Sequence, residues 1–174
     1  MQTLIIYSTI DGQTLAICQK MKLIAEQAGE QVSLVTLEQA EAFNLADFDK
    51  VLIGASIRYG KHRPALYQFV NRHHAVLNTK INGFFTVNVV ARKPLKNTPE
   101  TNPYMQKFLQ LSLWQPQILE VFAGKIDYPK YGLFDRTMIR FIMWVTKGPT
   151  DISGTFEFTD WAKVDALGIR FSQA

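Results

Sequence analysis

The chain holds a single cysteine, Cys18, in 174 residues. An intramolecular disulfide and an all-cysteine cluster are therefore excluded within one chain. Cys18 falls in the first helical pattern, where a small core residue fits. Histidine is also scarce. His62, His73 and His74 have no partners at metal-ligand spacing, so no metal centre is expected. The dinucleotide fingerprint Gly-x-Gly-x-x-Gly is missing, and so is the triphosphate loop Gly-x-x-x-x-Gly-Lys-Ser/Thr. There is no linker, internal repeat or low-complexity tract. The N-terminus has neither the basic start nor the long apolar run of a signal peptide, so a reducing, cytoplasmic compartment is expected.

Negative charge is sparse in one stretch. Residues 92–147 hold nine Lys/Arg against four Asp/Glu, a net of +5. Residues 1–91 hold eight against seven, and residues 148–174 two against four. The overall balance is +4, with a pI near 9.2. Such a stretch attracts anions: carboxylate ligands, phospholipid headgroups or nucleic acid.

What is present is an alternation of strands and helices. Leu4-Ile5-Ile6-Tyr7 reads as a buried strand, followed by a helix from about Gln13 to Gly29 with Leu15, Cys18, Met21, Ala25 and Ala28 at helical spacing. Further strands are expected at 32–35, 50–55, 83–90 and 118–123. Residues 37–48 read as a short acidic connection. Helices are expected at about 64–77, 102–113 and 159–171. Lys50 to Ala55 is apolar beyond its first residue, as a parallel strand buried on both faces requires. The pattern predicts one α/β domain over 1–174, a doubly wound, flavodoxin-like five-stranded parallel sheet of order 2-1-3-4-5. Ligands then bind beyond the carboxyl ends of strands 1 and 3.

Three loops should converge there. The first, Thr9-Ile10-Asp11-Gly12-Gln13-Thr14, is a hydroxyl- and amide-rich turn between the first strand and first helix. Its N–H groups and hydroxyls suit a phosphate at the positive helix end, such as the monophosphate of flavin mononucleotide (FMN). The bland reading of the same loop is a well-capped turn. The second loop is Ser56-Ile57-Arg58-Tyr59-Gly60, in which Tyr59 is the candidate to stack on a flat ring. The third is Asn88-Val89-Val90-Ala91, continuing into Arg92-Lys93-Pro94.

Together, Ser-Thr-x-Asp-Gly-Gln-Thr, Ile-Gly-Ala-Ser-Ile-Arg-Tyr-Gly, Val-Asn-x-Val-Ala-Arg-Lys-Pro and Thr-Pro-x-Thr-Asn at 98–102 resemble the menaquinone-dependent protoporphyrinogen IX dehydrogenase family of proteobacterial haem synthesis. The resemblance covers nearly the whole chain. It implies an FMN enzyme that oxidises protoporphyrinogen IX and passes electrons to menaquinone or ubiquinone, peripherally bound at the cytoplasmic face of the inner membrane. Nucleic acid is not an implied partner. Asp11 stands where generic flavodoxins have a hydroxyl residue, and the resemblance implies that the dehydrogenases share it. Ile10 departs from the basic residue expected in close relatives. No general acid or base stands out, as flavin chemistry leaves the protein to position and polarise.

Arg58, Lys61, Arg63, Arg92 and Lys93 flank the expected mouth and are candidates for the substrate's propionates. Residues from about 128 to 150 exceed what a five-strand domain needs and resemble the insertion of long-chain flavodoxins. Within it, Leu133 to Lys147 reads as a helix. At 100° per residue, Arg136, Arg140 and Lys147 fall within about 40° of one another. Phe134, Met138, Phe141, Ile142 and Val145 lie opposite, with Trp144 near the boundary. This basic amphipathic pattern suits a membrane surface or quinone contact and is too short to span a bilayer. A subunit interface, and hence a homo-oligomer, is the other use of such a face. The alternatives to a dehydrogenase are a flavodoxin-type electron carrier, usually acidic, and a soluble quinone reductase.

Overall fold

A computed structural model describes all 174 residues. Apolar runs that need burial on both faces pair side by side. They form β1 (Gln2–Ser8), β2 (Gln31–Thr36), β3 (Lys50–Ser56), β4 (Ile81–Asn88) and β5 (Ile118–Ala123). All pair in parallel, in the order β2-β1-β3-β4-β5. The helices are α1 (Gln13–Gln27), the single turn α2 (Leu37–Ala40), α3 (Pro64–Leu77), α4 (Pro103–Leu111), α5 (Leu133–Val145) and α6 (Trp161–Gln173). A short antiparallel pair, β6 (Lys125–Asp127) and β7 (Thr155–Glu157), brackets α5.

Alternate strand residues supply the two faces. Leu4, Ile6, Ile53 and Phe84 meet Leu66 and Phe69 of α3 and Phe108 of α4 on one side. Ile5, Leu52 and Phe85 meet Ile17, Cys18 and Met21 of α1 and Leu167 of α6 on the other. A Cβ at Gly54 would overlap the Phe85 ring, so this central position requires glycine.

Three expectations need correction. The buried side of α1 is Thr14, Ile17, Cys18, Met21 and Ala25; Leu15 is half-exposed and Ala28 exposed. Strand β4 ends at Asn88, whose side-chain oxygen accepts from Ala91 N at 3.0 Å and turns Val89–Arg92 into a 3-10 helix. The acidic connection contains α2, started by a Thr36–Gln39 capping box.

Lys50 and His62 are among the polar groups built into the core. Lys50 is fully buried, with its Nζ 3.1 Å from Glu30 Oε1 and donating to the carbonyls of Phe171 and Ser172 at 3.0 and 2.8 Å. His62 lies edge-on to Tyr67, Phe84 and Phe108, with Nε2 2.9 Å from Thr86 Oγ1. Burial pushes its pKa down to about 4, and Lys107 acts in the same direction.

Candidate functional site

The carboxyl ends of β1, β3 and β4 open on a cleft. Thr9, Asp11, Gln13 and Thr14 line one end; Ser56 to Gly60 line the middle; Asn88, Val89 and Val90 line the far side. The three loops predicted to converge do so.

The first loop is shaped as an anion cradle. Gly12 takes the left-handed conformation (φ 89°) as the N-cap of α1, and no side chain caps that helix. The first helical bond is Ala16 N to Gly12 O, so the N–H groups of Gln13, Thr14 and Leu15 stand ahead of the ladder. Thr9 Oγ1 accepts from Gly12 N at 3.0 Å. Thr14 Oγ1 is buried without a hydrogen-bond partner and lines the cleft. A buried hydroxyl left unpaired is costly, and a phosphate oxygen would satisfy it. Asp11 does not oppose an anion there, since its carboxylate turns to Arg58. The Gln13 side chain is engaged elsewhere, donating to Glu157 Oε1 and Thr159 Oγ1 at 2.8 and 2.9 Å. Ile10 is exposed and outside the cleft lining.

The second loop is a two-residue turn. Arg58 and Lys61 exchange backbone bonds of 3.1 and 3.3 Å. Tyr59 (φ 52°) and Gly60 (φ 75°) both lie in the left-handed region, as a type I′ turn demands. Tyr59 is exposed at the cleft, and its hydroxyl donates to Asp135 of α5. That bond raises the tyrosine pKa. Ile57 N donates to Val87 O at 3.0 Å, fixing the loop against β4. In the third loop, Asn88 and Asn102 pair side chain to side chain at 3.1 and 3.3 Å. Asn102 also caps α4, so the Thr-Pro-x-Thr-Asn phrase braces this loop. Ala91 is buried beneath the loop, outside the cleft lining.

The inner face of α5 forms the remaining wall. Ile139, Ile142 and Met143 line the cleft together with Tyr104, Gly124, Lys125, Ile126 and Tyr131. Of these the sequence pattern marks only Ile142, and it places Ile142 on the outer face. It instead packs inward with Met143 against Ile126, Tyr128 and Phe156. One signal was available: α5 carries apolar residues on more of its circumference than one surface needs, so two sides must be covered. Burial pushes the Tyr131 pKa up to about 12, and Asp11 adds to it.

Three of the five basic candidates are committed to protein partners. Arg58 bridges Asp11 and Asp135; burial opposes its charge, but the two carboxylates hold its pKa above the ordinary value. Arg63 pairs with Glu38 at 2.5 Å and donates to Ser8 Oγ at 3.3 Å. Arg92 donates to Val89 O and to Thr146 O, both at 3.0 Å, tying the end of α5 to the β4 loop. Burial lowers its pKa. Lys61 is exposed and Lys93 half-exposed.

The outer side of α5 is unpartnered. Phe134 (72% exposed), Trp144 (70%), Val145 and Phe141 face solvent with Leu133 and Met138. Arg140 and Lys147 are exposed beside this stripe. Arg136 is half-buried and donates to Tyr131 O at 3.3 Å, so it leaves the basic edge. No helix is long and apolar enough to cross a membrane.

A flavodoxin domain model matches residues 4–153. A protoporphyrinogen IX dehydrogenase (quinone) of Leishmania major is 44% identical over 170 residues, covering 97% of this chain and 74% of that protein. The enzyme of the same name from Escherichia coli K12 is 42% identical over 164 residues, covering 94% and 91%. Among solved structures, oxidised flavodoxin 1 from Bacillus cereus superposes with a TM-score of 0.55 at 11% identity, covering 99% of this chain and 98% of that one. The chain belongs to the flavodoxin domain family, and to the same family as these dehydrogenases.

Proposed function

We propose that this chain is an FMN-dependent oxidoreductase that converts protoporphyrinogen IX to protoporphyrin IX and delivers the electrons to a membrane quinone, menaquinone or ubiquinone. The observation that carries this reading is identity of 42–44% over at least 94% of the chain to proteins named for that activity. The same reading takes residues 1–174 as one domain with an insertion between β5 and α6.

The cleft supports the cofactor. Thr9, Thr14 and the leading amides of α1 suit the phosphate, with the orphan Thr14 hydroxyl as the local reason. Tyr59 and the wall from Asn88 to Val90 suit the two sides of a flat ring. FMN, when bound, supplies two-electron acceptance, so a six-electron oxidation takes three rounds. The protein orients the macrocycle and keeps water away with the apolar wall of Ile139, Ile142 and Met143. Lys61, Lys93 and Lys125 are cations near the mouth suited to the propionates.

The outer stripe of α5, with Arg140 and Lys147 beside it, supports peripheral contact with an anionic bilayer, where the quinone resides. A pI near 9.2 speaks against a flavodoxin-type carrier docking on basic partners. The test follows protoporphyrin fluorescence with FMN-loaded protein, with and without quinone. Turnover that depends on quinone is expected. Full FMN loading with no quinone-dependent turnover would rule the reading out.

A further inference from the structure

Asp135 stands in the first turn of α5, yet both its oxygens leave that helix for the loop after β3. Oδ2 accepts from Arg58 Nη1 at 3.1 Å, and Oδ1 accepts from the Tyr59 hydroxyl. The other terminal nitrogen of Arg58 donates to Asp11. A single chain, Asp135–Arg58–Asp11, thus joins α5, the ring-side loop and the phosphate loop around one cleft.

The geometry of the loop calls for such a hold. Tyr59 has φ 52°, a region uncommon for a non-glycine residue and costly unless its surroundings impose it. Its ring lies 5.8 Å from the Arg58 guanidinium, which is also 5.4 Å from the Tyr131 ring. The Arg58 side chain is only 13% exposed. Removing Asp135 would leave this largely buried cation with one carboxylate partner and would take the carboxylate acceptor from the Tyr59 hydroxyl. The same carboxylate ties the first turn of α5 to this loop, and further along that helix Ile139, Ile142 and Met143 line the cleft.

We propose that Asp135 is a positioning residue: it holds Arg58 and Tyr59 in the conformation that receives the flavin ring, and it makes closure of α5 part of cofactor retention. The retention half rests on the FMN reading above. The holding half does not, because every contact in it is within the protein. Asparagine keeps an acceptor and loses the charge, alanine loses both, and glutamate restores the charge on a longer arm. The effects should therefore fall in the order alanine, asparagine, glutamate.

Two measurements test it. The first is hydrogen exchange in FMN-free protein at Ile57–Lys61 and Leu133–Val145. Asp135→Ala should speed exchange in both segments by about tenfold, Asp135→Asn less, and Glu100→Ala in neither. Acceleration confined to α5, or absent, overturns the proposal. The second is titration of the stripped protein with FMN, with visible circular dichroism of the bound flavin. The dissociation constant should rise by about tenfold in Asp135→Ala, the flavin signal should change, and Asp135→Glu should recover part of both. An unchanged constant and signal in a folded Asp135→Ala variant overturns the retention half. A wild-type chain that takes up no FMN overturns the cofactor reading and that half with it, while the exchange experiment still decides whether Asp135 holds the loop.

Discussion

The sheet buries clusters of 20 and 11 apolar residues, whereas the segment from β6 to β7 buries four: Ile126, Tyr128, Tyr131 and Met143. The sheet is held by area. The segment is held by a small cluster and by single polar ties: Asp135 to Arg58, Arg92 to Thr146, Gln13 to Glu157, and the Tyr128 hydroxyl to Pro149 O at 2.6 Å. An element with few buried contacts opens at a lower free energy than the core around it. The cleft therefore has one rigid side and one conditional side. The loops that suit a cofactor hang from the rigid side, and the wall facing them belongs to the conditional one.

Four experiments bear on this contrast. The largest effect is expected in the sheet. Phe108 is fully buried, with its ring stacked 3.8 Å from that of Phe84, and Phe108→Ala should cost about 3–5 kcal/mol of global stability in urea unfolding. A loss confined to local opening would show that the sheet is less cooperative than its clusters imply.

Next is His62, whose folded pKa of about 4 lies below the ordinary value of 6.5. The unfolded chain takes up the proton first as pH falls. The stability this neutral histidine contributes is complete above about pH 6.5 and is lost toward pH 4, at about 1.4 kcal/mol per pH unit and about 3 kcal/mol in all. Urea midpoints measured from pH 7 to 4 should show the slope in the wild type and a shallower one in His62→Gln.

Tyr128→Phe removes one bond from the segment and should cost about 1 kcal/mol locally. Hydrogen exchange should rise between residues 125 and 158 while the global unfolding midpoint stays put. A fall in that midpoint would mean that sheet and segment unfold together. The smallest stability change is expected for Phe141→Ser with Trp144→Ser, both on the outer stripe, at about 0.5 kcal/mol or less. The same pair should lose sedimentation with anionic vesicles. Retained vesicle binding would remove the membrane role from this helix.

The sheet order was legible because apolar runs of strand length leave few alternatives, and the topology then fixes where the loops meet. The face of α1 was only partly legible, because Leu15 and Ile17 are both apolar and the buried side takes Ile17 with Thr14, Cys18, Met21 and Ala25. The extension of β4 through Val90 failed for a similar reason. Its valines suit a strand, but the Asn88 side chain captures Ala91 N and ends it. At the site, the loops could be read and their commitments could not. That Arg58 and Arg92 already have partners depends on Asp135 and Thr146, which are 77 and 54 residues away in sequence. Periodicity reports the local face of a helix and carries no trace of such pairings.

Lys50 has a consequence for how the molecule is made. It lies in the centre of the chain's first half, yet two of its three partners are the carbonyls of Phe171 and Ser172. During synthesis β1, β2 and β3 leave the ribosome long before α6 does. Until then the ammonium group has only Glu30, and burying it would leave donors unmatched. The start of β3 is therefore closed only once α6 is in place, and an early strand of the sheet depends for its seal on a helix more than a hundred residues further along.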